Sequence, residues 1–176
     1  MIGRHGYGGC SISRVTATAG IAKGTFYLYF RSQQQLFDLI LPTLGGEMLA
    51  SIAKAIGDEN DTMKVERLGC TANVQYTAEH IYMNRVLTEA QHYAPDVYAS
   101  FMDGIIKSYV RSLRRTLKYG ARHKASDREL SLMATMIVAA RTKLLLQIDS
   151  RNAKIPGFLD EIIESYLSFV MCGLDL

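Results

Sequence analysis

The sequence predicts an all-α protein, because signals that start and end helices recur along the chain while strand signals are nearly absent. No alternating run of β-branched residues is bounded by Asn-Gly or Asp-Gly turns. Residues 32–35 and 126–129 both have the capping-box form, in which a Ser side chain and the residue three positions later satisfy each other's backbone N–H groups. Between such signals, apolar residues repeat at helical spacing.

Two short helices are predicted near the N-terminus, at 11–19 and 22–30. Ser11 precedes the first, whose shared face carries Ile12, Val15, Thr16 and Ala19. Gly20 supplies a left-handed stop. The second places Phe26 and Phe30 one turn apart on an inner face, and its other face carries Lys23, Gly24, Tyr27 and Leu28.

Longer helices follow. The first of them is predicted from Ser32 to about Gly57, with a kink at Pro42 because an interior proline removes a hydrogen bond. The polar run 57–61 ends it. Pro95 suits the first position of a helix and Gly120 the position after the end of one. The remaining helices are predicted at 62–80, 82–92, 95–119, 127–148 and 156–172.

The last two predicted helices are apolar around most of their circumference. In the first, Leu130, Ile137 and Leu144 belong to one stripe, while Leu132 and Met136 lie outside it. A helix of this kind must be buried on several sides, and a chain of 176 residues has few ways to surround two of them. An isologous homodimer held by these helices is therefore expected, and charges placed together at Ile137 and Ile163 should separate it.

Composition favours a soluble, cytoplasmic globular protein. Hydrophobic residues make up 48% of the chain and charged residues 21%, which excludes the disordered class. The cysteines, Cys10, Cys70 and Cys172, are odd in number and never form a CxxC pair, so neither disulfides nor a zinc site is expected. No apolar run approaches the length of a membrane span, and the first residues lack the apolar core of a secretion signal.

Basic charge is concentrated at the front of the chain. Up to Phe37 there is no acidic residue, while Arg4, Arg14, Lys23 and Arg31 are positive. Two short helices joined by a tight turn that contains Gly, with basic and aromatic residues on the second, form a helix-turn-helix arrangement. Such a module suits the phosphate backbone of DNA.

The residues Gly6-Tyr7, Ser11-Ile12, the run from Ala19 to Ser32 and Leu36-Phe37 closely resemble the TetR family of bacterial repressors. The resemblance covers about residues 6–41. It implies a helix-turn-helix DNA-binding domain at 1–41 and a ligand-binding and dimerisation domain at 42–176. It also implies a homodimer that binds operator DNA as a repressor and is released by a small hydrophobic or aromatic effector.

The resemblance assigns DNA contacts by position. A basic Lys23 at the start of the second helix suits a phosphate, and Gly24 permits close approach of the backbone. The expected contacts are Ser11, Arg14, Lys23, Gly24, Thr25, Tyr27, Tyr29 and Arg31.

Ala22 stands where the family often has a capping Ser or Thr, and Gln33 where a Lys commonly touches phosphate. The family has a further helix before Gly6, where this sequence has only Met1 to His5, so we expect a chain extended upstream to bind DNA more tightly.

The resemblance places the effector pocket among the helices from 62 to 148. Pockets of this kind are mainly apolar with a few polar groups. Candidate lining residues are Tyr76, Met83, Leu87, Gln91, Tyr98, Phe101, Met102, Ile105, Tyr109, Met133 and Ile137, with ordinary core packing as the alternative for each. No cofactor is expected, and no metal, because no further His or Cys stands at metal-ligand spacing from His80 or His92.

Two other classes of function stay open. The first is a helical dimerisation or ligand-binding protein whose DNA binding is impaired, which the short N-terminal segment favours. The second is a small α-helical enzyme using Glu79-His80, Glu89 with His92, and Asp96 as acids and bases. The enzyme reading lacks a nucleophile elbow, a phosphate loop or a metal cluster, so a non-enzymatic regulator is predicted.

Overall fold

The described residues of the computed structural model, 2–117 and 124–174, form nine α-helices and contain no strand. The all-α prediction is confirmed. The helices are α1 (Ile2–His5), α2 (Ile12–Ala19), α3 (Lys23–Tyr29), α4 (Gln33–Ile56), α5 (Thr62–Glu79), α6 (Tyr82–Tyr93), α7 (Pro95–Thr116), α8 (Asp127–Leu145) and α9 (Phe158–Leu174). A 3₁₀ turn occupies Asn152–Lys154.

Several predicted helix boundaries agree with the structure. Ser126 caps α8 in a complete capping box, in which the Glu129 carboxylate accepts the Ser126 N–H at 2.7 Å. Pro95 is the first residue of α7. α4 runs unbroken through Pro42, so the kink predicted there stays a prediction. The end of the helix predicted at 95–119, with Gly120 after it, lies outside the described residues.

Two boundaries differ from the prediction for local reasons. α8 ends at Leu145 because the N–H groups of Gln147 and Ile148 bond three residues back rather than four, which is a 3₁₀ pattern. The sequence extended this helix because Ile148, which is buried, continues the apolar spacing. α9 begins at Phe158 rather than Pro156 because Gly157 has φ of +80°, outside the right-handed helical region.

By length and composition alone, α4 could cross a membrane. The sequence did not predict this. Its Phe37, Leu41 and Met48 side chains are buried within the single chain.

The chain divides into two compact units. Unit 1 comprises Met1–Glu47 with His80–Phe101, and unit 2 comprises Met48–Glu79 with Met102–Leu176. α6 thus belongs with the N-terminal helices, whereas the sequence placed it in the second domain. The predicted division into 1–41 and 42–176 stays a prediction of where the DNA-binding and effector-binding segments lie.

Unit 1 is organised around an aromatic cluster. Tyr7 is fully buried, stacked on Tyr93 with ring centroids 5.6 Å apart and edge-on to Phe37 at 5.0 Å. The ring of Phe101 lies against Gly45 of α4 and occupies the space that a Cβ atom at this position would need. These contacts set α4 and α6 around the segment that leads into α2.

Unit 2 has its core between α5, α8 and α9. Leu130, Ala134 and Ile137 of α8 and Ile163, Leu167 and Val170 of α9 are buried. Ile137 and Ile163 are therefore core residues of a single chain, and the dimer test predicted at these two positions was wrongly placed. Charges there would disrupt folding, because the stripe that the sequence singled out on each helix packs inside the protomer.

Candidate nucleic-acid interface

α2 is defined by polar contacts at both ends. The Ser11 hydroxyl oxygen accepts a hydrogen bond from the Arg14 N–H at 3.3 Å, which caps the first turn. At the other end, Gly20 has φ of +68°, and its N–H is bonded to the carbonyl of Ala17. Only glycine adopts this conformation without steric cost. The predicted start and stop of the first short helix are confirmed.

The inner faces of α2 and α3 hold the two helices in place. Phe26 is buried, and its ring lies 5.1 Å from that of Phe30. Thr16, also buried, donates its hydroxyl proton to the carbonyl of Ile12 at 3.0 Å, so its polar atom is satisfied within α2. α3 therefore shows the opposite face to solvent.

The outward face carries the residues predicted to contact DNA. Lys23, Gly24, Tyr27, Tyr29 and Arg31 are exposed, and Thr25 is half-buried. Apart from its chain neighbours and the backbone of its own helix, nothing that the structure describes lies within 4 Å of where a Cβ atom of Gly24 would stand. The predicted contacts of α3 are therefore accessible, Thr25 in part.

Three polar side chains make local contacts beside this surface. Ser11 acts as the cap of α2, and Arg14 donates from Nη1 to the carbonyl of Gly9 at 2.7 Å while remaining exposed. Gln33, which stands where the family commonly has Lys, donates from its amide to the carbonyl of Cys10 at 3.0 Å. Gln33 therefore joins the start of α4 to the loop before α2.

The connection from α3 to α4 departs in detail from the predicted capping box. The Ser32 hydroxyl accepts the Gln35 N–H at 3.2 Å as predicted. The Gln35 side-chain oxygen, however, accepts the Arg31 N–H at 2.6 Å rather than that of Ser32. The Gln35 amide thus fixes the backbone at Arg31, one of the predicted DNA contacts.

Leu28 was not among the predicted DNA contacts, although the sequence places it on the face of α3 away from Phe26 and Phe30. It is 82% exposed, more than any other large apolar side chain among those that the structure describes. The available signal was its position two residues after Phe26, which places it nearly opposite the buried face of α3.

The segment before α2 is tied to α6. The Glu89 carboxylate accepts the Tyr7 N–H at 2.6 Å and an N–H of Arg85, also at 2.6 Å. Gly6, with φ of +67°, lies so close to both side chains that a Cβ atom would collide with them. Burial raises the pKa of the Glu89 carboxyl, but the bonds from Arg85 and Tyr7 outweigh it and hold the pKa below its ordinary value.

The predicted effector residues divide between the two units. In unit 1, Met83 is buried, Leu87, Tyr98 and Phe101 pack against the aromatic cluster, and Gln91 is exposed. In unit 2, Met133 and Ile137 are buried in the core, while Tyr76, Met102, Ile105 and Tyr109 are half-buried. That they line one pocket stays a prediction.

A buried polar cluster in unit 2 was not predicted from the sequence. Arg141 of α8 donates to the Glu66 carboxylate of α5 at 2.8 Å and to the Tyr166 hydroxyl of α9 at 2.6 Å. The Tyr109 hydroxyl of α7 also donates to Glu66. The signal available beforehand was weak, because the four residues lie in four different helices and none is close to another in the sequence.

Burial governs the chemistry of this cluster. It raises the pKa of the Tyr109 and Tyr166 hydroxyls, which therefore stay protonated and available as donors. The guanidinium carbon of Arg141 lies 4.7 Å from the centre of the Tyr166 ring, within range of a cation–π interaction. Burial also raises the pKa of the nearby Cys70 thiol to about 11, which makes it a poor nucleophile.

Features expected of an enzyme are sparse among the described residues. No three His, Cys, Asp or Glu side chains there are grouped so as to hold a metal ion. Glu89, a candidate acid or base, is engaged with Arg85 and the Tyr7 amide. A surface cleft of about 370 Å³ in unit 2 lies between α5, residues 153–157 and α9, and none of the predicted effector residues lines it.

Comparisons with known proteins agree with this geometry. Residues 1–40 match the family model described as bacterial regulatory proteins, tetR family. No curated protein sequence matches the chain.

Solved structures share the fold over almost the whole chain. A TetR-like transcriptional regulator from Rhodococcus sp. RHA1 is 18% identical with a TM-score of 0.72, over 99% of this chain and 89% of that protein. The fatty acid degradation regulator FadR from Bacillus halodurans is 16% identical with a TM-score of 0.78, over 98% and 90%. The regulator FadR from Bacillus subtilis, solved with stearoyl-CoA, is 16% identical with a TM-score of 0.79, over 98% and 92%.

Proposed function

We propose that this chain, a TetR-family regulator by the match of its first 40 residues and by its fold, represses transcription by binding operator DNA as a homodimer. A small hydrophobic effector bound in the predicted ligand-binding domain, 42–176, releases the repressor from its operator. DNA contact is made by the exposed residues of α3, chiefly Lys23, Tyr27 and Tyr29, and by Arg31, which lies two residues after the helix ends.

The observation that carries the proposal is the combination of a fixed inner face and an open, acid-free outer face on α3. Phe26 holds the helix from inside, while Lys23, Tyr27 and Tyr29 are exposed. No acidic residue occurs before Asp38 in the sequence, so the module attracts rather than repels the phosphate backbone. A recognition helix needs both properties, because it must enter the major groove without losing its own packing.

Exposed apolar residues on the last two helices support a homodimer. Leu132 and Met136, one turn apart on α8, and Phe169 on α9 are each more than half exposed in the single chain. Side chains of this size on helices that already form the core of unit 2 suit a second copy of the chain, because dimer interfaces are more apolar than other surfaces.

The effector is proposed to be a small molecule with a large apolar part. The predicted lining residues include half-buried Tyr109, Met102 and Ile105 in unit 2, which offer apolar surface. FadR from Bacillus subtilis, which shares the fold, was solved with stearoyl-CoA. Long-chain acyl compounds are therefore the first effectors to test on this chain.

The test of the proposal is selection of bound sequences from a pool of random duplexes, followed by titration with stearoyl-CoA and stearate. Enrichment of a palindromic sequence, and its release by either compound, support the proposal. A dimer that binds an acyl compound but retains no duplex at low salt would instead be a ligand-binding protein without DNA-binding function. DNA binding that no acyl compound changes would remove this effector class.

A further inference from the structure

We infer that Leu28 reads operator sequence by packing against the 5-methyl group of a thymine in the major groove. This inference rests on the proposed function and deepens it, because it assigns a specific base to a specific side chain. It concerns an apolar contact, whereas the predicted DNA contacts of the module are mainly polar or basic.

The first observation is the exposure of Leu28 itself. With 82% of its surface accessible, the side chain contributes almost nothing to the packing of α3. The helix is held by Phe26, which is buried and nearly opposite. Leu28 stands on a segment whose positive charge suits DNA, with Lys23 and Arg31 on either side and no acidic residue nearby in the sequence.

The second observation is the open space beside Leu28. Side chains of a helix lean toward its N-terminus, so Leu28 leans over the turn that begins at Gly24, four residues earlier. Gly24 has no side chain, and apart from its chain neighbours and the backbone of its own helix, no atom that the structure describes lies within 4 Å of its missing Cβ position. A base edge can therefore reach the side of the leucine over this turn.

The chemistry of the major groove then selects the partner. Each base pair presents hydrogen-bond donors and acceptors there, and only thymine presents a methyl group. Leucine has no hydrogen-bonding group, so among the groups at the edges of the bases it gains most from that methyl. Tyr27 and Tyr29, the neighbours of Leu28 in the sequence, are also exposed, so no side chain of the core blocks this part of α3.

The experiment uses the full chain and duplexes selected from a random pool. Each thymine of the selected half-site is replaced in turn by deoxyuridine, which removes only the methyl group. We expect one thymine at which this change lowers the affinity of the wild-type protein for the duplex about fourfold. That factor corresponds to the burial of one methyl-sized group. In Leu28→Ala the same replacement should have no effect, and Leu28→Met should restore most of the sensitivity.

The matched control is Leu39→Ala, which removes a partly exposed leucine of α4 and should keep the wild-type response. Folding is not at issue, because Leu28 is not part of the core. Sensitivity to deoxyuridine that persists in Leu28→Ala, its absence at every thymine, or a selected half-site without a fixed thymine would overturn the inference. Failure to retain any duplex at low salt would instead remove the proposed function.

Discussion

The carboxylate of Glu89 on α6 accepts a hydrogen bond from the backbone N–H of Tyr7 at 2.6 Å. The bond joins positions 82 residues apart in the chain. It ties the segment before the helix-turn-helix to α6 in unit 1, and Arg85 holds the other oxygen of the same carboxylate. The position of the segment that leads into α2 thus depends in part on a polar side chain.

Glu89→Ala is predicted to lower the free energy of unfolding by about 1–3 kcal/mol, because the backbone N–H of buried Tyr7 and the Arg85 side chain both lose their acceptor. Glu89→Gln, which keeps an acceptor oxygen, should cost less. Urea denaturation measures both, with the exposed Glu47→Ala as the control. A Glu89→Ala variant as stable as the control would show that the bond contributes nothing.

The same residue predicts a dependence on pH. The folded protein holds the pKa of Glu89 below its ordinary value of 4.5. The ionised carboxylate therefore contributes its full stabilisation above pH 4.5, and this stabilisation is lost as the pH falls through the pKa that Glu89 has in the folded protein. The stability difference between wild type and Glu89→Gln should therefore shrink on acidification below pH 4.5. A difference that stays constant would contradict the assignment.

Removing one partner of the buried cluster in unit 2 is predicted to be strongly destabilising. Arg141→Met leaves the Glu66 carboxylate buried without its cation, and such changes cost about 3–5 kcal/mol. The double variant Glu66→Leu, Arg141→Met should recover part of that loss, because neither charge then remains. Urea denaturation of the single and double variants decides the matter. A double variant less stable than Arg141→Met alone would contradict this account.

Gly24→Ala is predicted to separate stability from DNA binding. A glycine within a helix costs about 1 kcal/mol relative to alanine, and the chain has room for the added Cβ, so the variant should unfold at a higher temperature. The same methyl group should weaken DNA binding if a base edge approaches there. Thermal unfolding and affinity for a selected duplex are the two measurements, with Ala17→Gly, at an exposed position of α2, as the reverse control. Unchanged DNA affinity would show that α3 does not approach DNA at Gly24.

The dimer is predicted to dissociate when charges are placed on the exposed apolar residues of α8 and α9. Met136→Glu with Phe169→Glu should give monomers in sedimentation, and the monomers should stay folded because neither side chain is buried within the chain. Glu substitutions at exposed Ser51 and Ala55 of α4 provide the control. A doubly charged variant that remains a dimer would move the interface elsewhere.

The sequence predicted the elements that depend on local signals. The cap at Ser11, the turn at Gly20 and the capping box at Ser126 are properties of a few neighbouring residues, and all three are present. The accessible face of α3 followed from the positions of Phe26 and Phe30, one turn apart in the sequence. For the same reason, residues that matched the family pattern could be placed without knowledge of their distant partners.

Features that depend on distant partners were not predicted. Glu66, Tyr109, Arg141 and Tyr166 come from four helices, and nothing near any one of them in sequence indicates the other three. Ile137 and Ile163 were wrongly chosen as positions for testing the dimer for a related reason. Helical periodicity identifies stripes of apolar residues on α8 and α9, but which stripe faces the protomer's own core depends on how α5 and the two helices pack.

Contact between α3 and DNA is tested by measuring the affinity for a selected duplex against salt concentration, for the wild type, for Lys23→Ala and for a control, Lys154→Ala in the 3₁₀ turn of unit 2. We expect the logarithm of the wild-type association constant to fall steeply with the logarithm of the salt concentration. Lys23→Ala should reduce the slope by about 1, as expected for one lost phosphate contact, while Lys154→Ala should leave it unchanged. No detectable binding of any duplex at about 50 mM salt, or equal slopes of affinity against salt for all three proteins, would show that α3 does not bind DNA as proposed.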